Sequence, residues 1–434
     1  MGRPAGARWS AWSTLQWLRS PYPYLDQLSQ QHGETFVLPL FGYPLVMFSN
    51  PEHVRDVFSD GDLRAGSFNQ TIAPLLGYGS VLMADGKEHL RKRKLLLPPF
   101  HGERMQSYGQ TMLDETDAAI DDLPHGRPFA LHGPMQDITL RVIIRTIFGL
   151  EAGPEATAMV VALKEILELG SWAPLLLPFM QVDLGRASPY GRFRHAVRES
   201  DRILYRLIER RRADGTRGTD VLSLLLDARD EAGQPMSAEE LRDELVTLLV
   251  AGHETTATGL TWAMRWLLED PALVRDLRAE LAGVTGPSEI ARCELLDATV
   301  REALRLVPVI PMVGRILDED RRVGSHDLSR GDIVVCSIYL AHRRPEAYPD
   351  PLRFDPRRFL GKKMSAYEFY PFGGGTRRCI GMAFALWEMK MVLARLLVRT
   401  DLELVSRDVP MVRRSITITP ARGLPVVLRQ RRAA

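Results

Sequence analysis

One helical pattern, running from Ser237 to Glu269, sets the frame for this chain. Ser237 and Glu240, three residues apart, form a capping box, and Pro271 enforces the stop at the other end. At ~1.5 Å per residue such a helix is about 50 Å long and crosses the whole molecule. Its middle, Leu248 to Leu260, is apolar except for Ala251-Gly252-His253-Glu254-Thr255-Thr256. Gly, Glu and two Thr at the centre of a buried helix break the propensity rules that the rest of it obeys. Local violations of this kind are where function is expected. A zinc site is excluded: His253-Glu254 would need a histidine at position 257, and Ala257 stands there.

Around this helix the pattern is mostly helical from Asp85 to about Ser325, punctuated by Pro124, Pro154, Pro174, Pro178, Pro189 and Pro235. Strand character is confined to Thr35–Leu40 and Pro44–Phe48, split by a turn at Phe41-Gly42-Tyr43, and to Ile333–Ile338 and Ser415–Thr419. Strands so distant in sequence must pair with one another. The expected fold class is therefore mainly α with a small β region, and residues 1–434 are read as a single domain with no linker. Lys+Arg 56 against Asp+Glu 54 leaves a net charge of +2, which supplies no field for nucleic acid. The cysteines Cys293, Cys336 and Cys379 are odd in number and far apart, so no disulfide framework is expected. No run approaches the ~20 apolar residues of a spanning helix. Met1–Ser20 carries Trp9, Trp12 and Trp17 without a continuous apolar core, and is read as packed on the body or loosely ordered rather than as a signal peptide. The location expected is cytoplasmic, with no transmembrane anchor.

The second informative segment is Phe372-Gly373-Gly374-Gly375-Thr376-Arg377-Arg378-Cys379-Ile380-Gly381, followed by a helix with Met382, Leu386, Met389, Leu393 and Leu396 on one face. Its glycines allow a tight loop with the backbone close to something bulky. A cysteine at a helix N-terminus beside two arginines favours a thiolate, a good soft metal ligand. Phe372, Gly375, Arg377, Cys379 and Gly381 closely resemble the haem-binding signature of the cytochrome P450 family, the haem-thiolate monooxygenases.

Three further segments extend the resemblance. Glu302 and Arg305 share a helix face and can pair; in the family such a pair joins an arginine from a Pro-rich loop, here Arg358, in a buried triad. Ala251-Gly252-His253-Glu254-Thr255 is similar to the family's oxygen-binding segment. Gly252 would permit close approach to a flat cofactor, and the Thr255 hydroxyl can bond the Ala251 carbonyl and open a kink. Glu254 and Thr255 would then relay protons to the oxygen being activated. Finally, Gly86–Arg93 resembles the propionate-binding helix, with His89 and Arg93 four apart; Arg315 and Arg377 join that set.

The resemblance implies the P450 fold, a prism-shaped helical body with a long helix over haem b (iron protoporphyrin IX). It implies Cys379 as the metal ligand and insertion of one oxygen atom from O2 into an apolar small molecule: a terpenoid, fatty acid, steroid or polyketide. Electrons would come from NAD(P)H through a ferredoxin reductase and a ferredoxin, with Arg91, Lys92, Lys94 and Arg378 steering the acidic partner. By family position the substrate pocket would be lined by Phe68, Ile72, Leu75, Leu76, Val81, Leu248, Val309, Ile310, Met312, Val313, Ile416 and Thr417, and Leu169–Tyr190 would be a lid. The alternatives are a peroxide-driven or rearranging haem enzyme, which generally lacks the acid–alcohol pair, and a non-catalytic haem sensor or carrier.

Overall fold

The computed structural model describes residues 4–7, 10–40, 42–59, 63–102, 104–151, 153–170, 182–215, 218–414 and 416–432. The central helix runs Ala238–Leu267 without a break. Its capping box closes as expected: the Glu240 amide donates to Ser237 Oγ at 3.1 Å, and the Ser237 amide donates to Glu240 Oε2 at 3.1 Å. Pro271 does not itself end the helix. It is the first residue of the next one, Pro271–Glu280, whose N-cap is Asp270. The central helix packs along the crossing helix His132–Thr146 and also meets the helices Glu294–Leu306 and Met382–Arg399. Leu245, Leu249, Leu260, Met264 and Leu267 bury its apolar residues in the largest hydrophobic cluster.

Four strands form the principal sheet, in the order Thr35–Leu40, Tyr43–Phe48, Ile333–Ser337, Met312–Ile316. The first two pair antiparallel from Thr35↔Phe48 to Leu40↔Tyr43, so the turn is one residue tighter than the sequence suggested. Val46 pairs with Val334 in parallel, joining segments almost three hundred residues apart. The strand Met312–Ile316 and the short strand Arg321–Val323 fall in a stretch read as helical. Helix ends at Leu306, and Pro308 and Pro311 prevent its resumption. Near the C-terminus, Thr417–Pro420 pairs with Met411–Arg414 as a separate hairpin; Ser415 lies outside the described residues.

The N-terminal segment is organised where it is described. Ser10 caps the helix Ala11–Arg19, and Trp17 is buried with Tyr22, Leu25, Phe36 and Trp262. Trp12 stands exposed, and Trp9 lies outside the described residues. Among the described residues no helix is long and apolar enough to cross a membrane.

Candidate functional site

The loop Phe372–Gly381 is held shut at its base, where the Cys379 amide donates to the Phe372 carbonyl at 2.9 Å. Gly375 has φ +65°, and a Cβ there would collide with the carbonyl oxygen of Phe58; one on Gly374 would collide with the Phe58 ring. The bulky object these glycines admit is therefore Phe58, from the helix Pro51–Ser59. Sequence alone gave no sign of Phe58, which acts through space. Gly375→Ala combines a left-handed backbone with this collision and is expected to cost about 1–3 kcal/mol. The haem-to-protein ratio of the purified variant should fall with its melting temperature; unchanged values for both would contradict the cradle.

Cys379 precedes the helix Met382–Arg399, whose N-cap is Gly381, and is not itself the first helical residue. The residue is exposed, although protein crowds its sulfur closely enough for desolvation to push the thiol above the ordinary value; the Gly381 amide and Arg93 oppose this. Desolvation thus works against the thiolate that the helix N-terminus and the neighbouring arginines were expected to favour. Accessibility is what a ligand needs, and Cys379 alone has it: Cys293 and Cys336 are buried.

A basic set converges near this loop from three directions. His89 and Arg93 come from the helix Gly86–Leu96, Arg315 from the strand Met312–Ile316, and Arg377 from the loop itself. Burial pushes His89 down to about 4, with Arg377 and Arg93 adding repulsion. Burial also pushes Arg377 down to about 10, Asp85 opposing and Arg315 and Arg93 reinforcing. Arg93 feels Cys379, and Arg315 feels Asp85. Asp85, which sequence reasoning missed, accepts from Arg377 Nη2 at 2.5 Å and from the Gly66 and Ser67 amides at 2.8 and 3.1 Å. Three basic side chains around one carboxylate, with Arg93 beside the exposed Cys379, form a donor set that fits a metal complex bearing carboxylate arms.

The central helix supplies the facing wall. Ala251 is exposed and Leu248 and Thr255 half-buried on a helix whose flanks are buried. Thr255 Oγ1 donates to the Ala251 carbonyl at 2.5 Å, the bond the sequence led one to expect, within a helix assigned continuously from Ala238 to Leu267. Gly252 does not turn toward this face either: a Cβ there would press at 3.3 Å on Ile143 Cδ1 of the crossing helix, so Gly252 serves helix–helix approach. Glu254 is held on the same crossing helix, accepting from Gln136 Nε2 at 2.6 Å and facing His132 Nε2 at 3.3 Å. Burial raises Glu254, but His132, Arg414 and Gln136 together hold it below its ordinary value.

Below the loop, Arg305 Nε and Nη2 donate to the two oxygens of Glu302 at 2.6 and 2.9 Å, and Arg358 Nε donates to Glu302 Oε1 at 3.1 Å. Arg305 also donates to the carbonyls of His342, Pro351 and Arg353.

The family model for Cytochrome P450 matches residues 4–424. The chain belongs to the cytochrome P450 family. The putative cytochrome P450 135B1 of Mycobacterium tuberculosis is 37% identical over 441 residues, covering 100% of this chain and 92% of that protein. The putative cytochrome P450 138 of the same organism is 35% identical over 412 residues, covering 94% and 91%. Among solved structures, the retinoic-acid-bound cyanobacterial CYP120A1 aligns with a TM-score of 0.87 at 25% identity, covering 99% of this chain and 100% of that one. This P450 is accordingly a haem-thiolate monooxygenase whose cofactor is haem b.

Of the residues expected to line the P450's substrate pocket, Ile72, Leu75, Leu76, Val81, Leu248 and Val309 pack in or against the same large cluster as the central helix. Phe68 lies against Gly314, where a Cβ would meet its ring, and Ile310 is half-buried. Four positions depart from the expectation. Met312 packs on the N-terminal cluster and Val313 on the sheet cluster with Phe48 and Phe58, because successive residues of a strand face opposite sides. Ile416 is 51% exposed at the hairpin tip, and Thr417 is buried with its hydroxyl donating to the Arg414 carbonyl. The centre of the expected lid, with Trp172, Leu175–Leu177 and Phe179, lies outside the described residues.

The proposed steering charges also need revision. Lys92 is only 1% exposed; its Nζ donates to the Gly79 carbonyl at 2.7 Å and to Glu240 at 3.2 Å. Arg91 is paired with Glu240 and Asp230, and Lys94 with Glu231. Arg378 is exposed.

Proposed function

We propose that Cys379 would bind the haem iron of this P450 through its sulfur and that His89, Arg93, Arg315 and Arg377 would hold the haem propionates. The observation that carries this reading is the exposed Cys379 with Arg93 beside it, next to Arg377, which is anchored on Asp85 with His89 and Arg315 close by. When bound, haem supplies the oxygen-activating chemistry, its thiolate ligand favouring O–O cleavage. The protein does the rest. Guanidinium forks orient the carboxylate arms. Ala251 and Thr255 would line the side of the site where oxygen is activated, and the Thr255 hydroxyl, parked on the Ala251 carbonyl, would be its proton donor. Glu254 passes protons toward that hydroxyl.

The substrate is an apolar small molecule of the terpenoid, fatty acid, steroid or polyketide kind. The walls contributed by Ile72, Leu75, Leu248 and Val309 support this, since they offer dispersion contacts and few polar anchors. Electrons reach the protein from NAD(P)H through a ferredoxin reductase and a ferredoxin. Arg378 is the exposed cation best suited to meet the acidic carrier, and Lys92 is not part of that face.

Thr255→Ala tests the reading. The variant is expected to keep the wild-type haem spectrum while product formed per NAD(P)H falls about 100-fold and peroxide rises in step, the low end of what a positioned proton donor contributes. Turnover driven by added hydrogen peroxide should change less than turnover driven by ferredoxin. Unchanged coupling in the variant would remove Thr255 from proton delivery.

A further inference from the structure

The pair formed by His132 and Glu254 has a hydrogen-bond inventory that can be closed atom by atom. The Thr261 hydroxyl donates to the Ala257 carbonyl at 2.7 Å, so its single proton is committed. The 3.1 Å contact between Thr261 Oγ1 and His132 Nδ1 then requires the proton on Nδ1. With Nδ1 protonated, a neutral ring would turn the bare lone pair of Nε2 toward Glu254 Oε1 at 3.3 Å. Two lone pairs do not share such a contact, and a proton must lie between them. The other carboxylate oxygen is taken by Gln136 Nε2 at 2.6 Å, which fixes the orientation of Glu254. The charged and titratable groups facing the pair are Arg414, whose Nε lies 4.0 Å from Oε1, and His253, which in turn feels Asp137. His132 is buried, whereas the Glu254 side chain keeps 17% of its surface accessible.

We propose that His132 is the positioning residue that reloads Glu254, the two side chains holding one exchangeable proton between Nε2 and Oε1. The inference rests on the reading of Glu254 as a proton carrier. In one cycle the Nε2–H bond breaks as Oε1–H forms, and the Oε1–H bond then breaks as the proton leaves toward the Thr255 hydroxyl. A hydronium at the accessible edge of Glu254 gives up a proton to re-form Nε2–H and leaves as water. No electrons move, and the pair returns to its starting charge. Thr261 keeps the ring in the one tautomer able to do this.

His132→Gln keeps an amide donor near Glu254 but removes the exchangeable site. In the reduced holoenzyme with carbon monoxide bound, which turns nothing over, infrared spectra against pH should show the titration of the Glu254 carboxyl, identified by its loss in Glu254→Gln. Loss of the imidazolium should move that midpoint upward by about one pH unit. In ferredoxin-driven turnover the same variant should lose about tenfold in product per NAD(P)H, with an enlarged solvent deuterium effect on coupling that a merely structural substitution would not produce. A midpoint and coupling equal to wild type in His132→Gln would overturn the proposal. Wild-type coupling in Glu254→Gln would instead overturn the carrier reading, and the proposal with it. Should His132→Gln not fold, Thr261→Val frees the tautomer and carries the same test, with the same midpoint and coupling as readouts.

Discussion

Replacing Glu302 with alanine is expected to cost the folded chain about 3–5 kcal/mol. Both Glu302 and Arg305 are wholly buried, and Arg358 reaches the same carboxylate oxygen that receives Arg305 and the Asp355 amide. Deleting the carboxylate leaves one fully buried guanidinium facing another, with backbone carbonyls as their only acceptors. Coulomb attraction in this dry place offsets desolvation only while all three partners are present. Glu302→Gln retains an acceptor and the volume, so its loss should be smaller. Denaturant unfolding of haem-loaded protein measures both, and a loss below about 1 kcal/mol for the alanine variant would show that the buried charges relax independently.

The second large effect concerns Cys379→Ala. If Cys379 holds the iron as proposed, ferredoxin-driven turnover is expected to drop at least about 100-fold, since losing an outer partner of a metal ligand already costs about 10–100-fold and here the ligand itself would be gone. The reduced carbon-monoxide spectrum should lose its thiolate character. Porphyrin should still bind weakly, because the propionate-facing groups are untouched. No other sulfur can substitute: Cys336 is fully buried with its thiol pushed up to about 12, and burial raises Cys293 as well. A variant that kept both the spectrum and turnover would place the iron elsewhere.

Much of this architecture was legible because some signals are local. A Ser–Glu capping box sets the start of the central helix, and four-residue spacing puts Ala251 and Thr255 on one face. The ligand loop was readable for the same reason, as its glycines and cysteine act within ten residues. What escaped was set by tertiary contact. Glu254 follows Ala251 by three and precedes Thr255 by one, so the helical rotation turns it to the crossing helix, where His132 and Gln136 wait. Asp85 and Phe58 carry no motif and matter only because the fold brings them to Arg377 and Gly375. The strand around Gly314 lacked alternation, and lysines on a basic helix read alike whether they face water or, like Lys92, a buried carboxylate.

The sheet that carries Arg315 has a consequence for biosynthesis. Its neighbouring strand pairs in parallel with Tyr43–Phe48, so Arg315 is fixed only when an early and a late segment meet. His89 and Arg93 leave the ribosome long before Arg377 and Cys379. With the proposed set, a nascent chain therefore has no complete grip on porphyrin until Cys379 has emerged, and long-range pairing of this kind is slow. Cofactor supply during expression should thus govern the yield of folded protein more through the post-release interval than through translation speed.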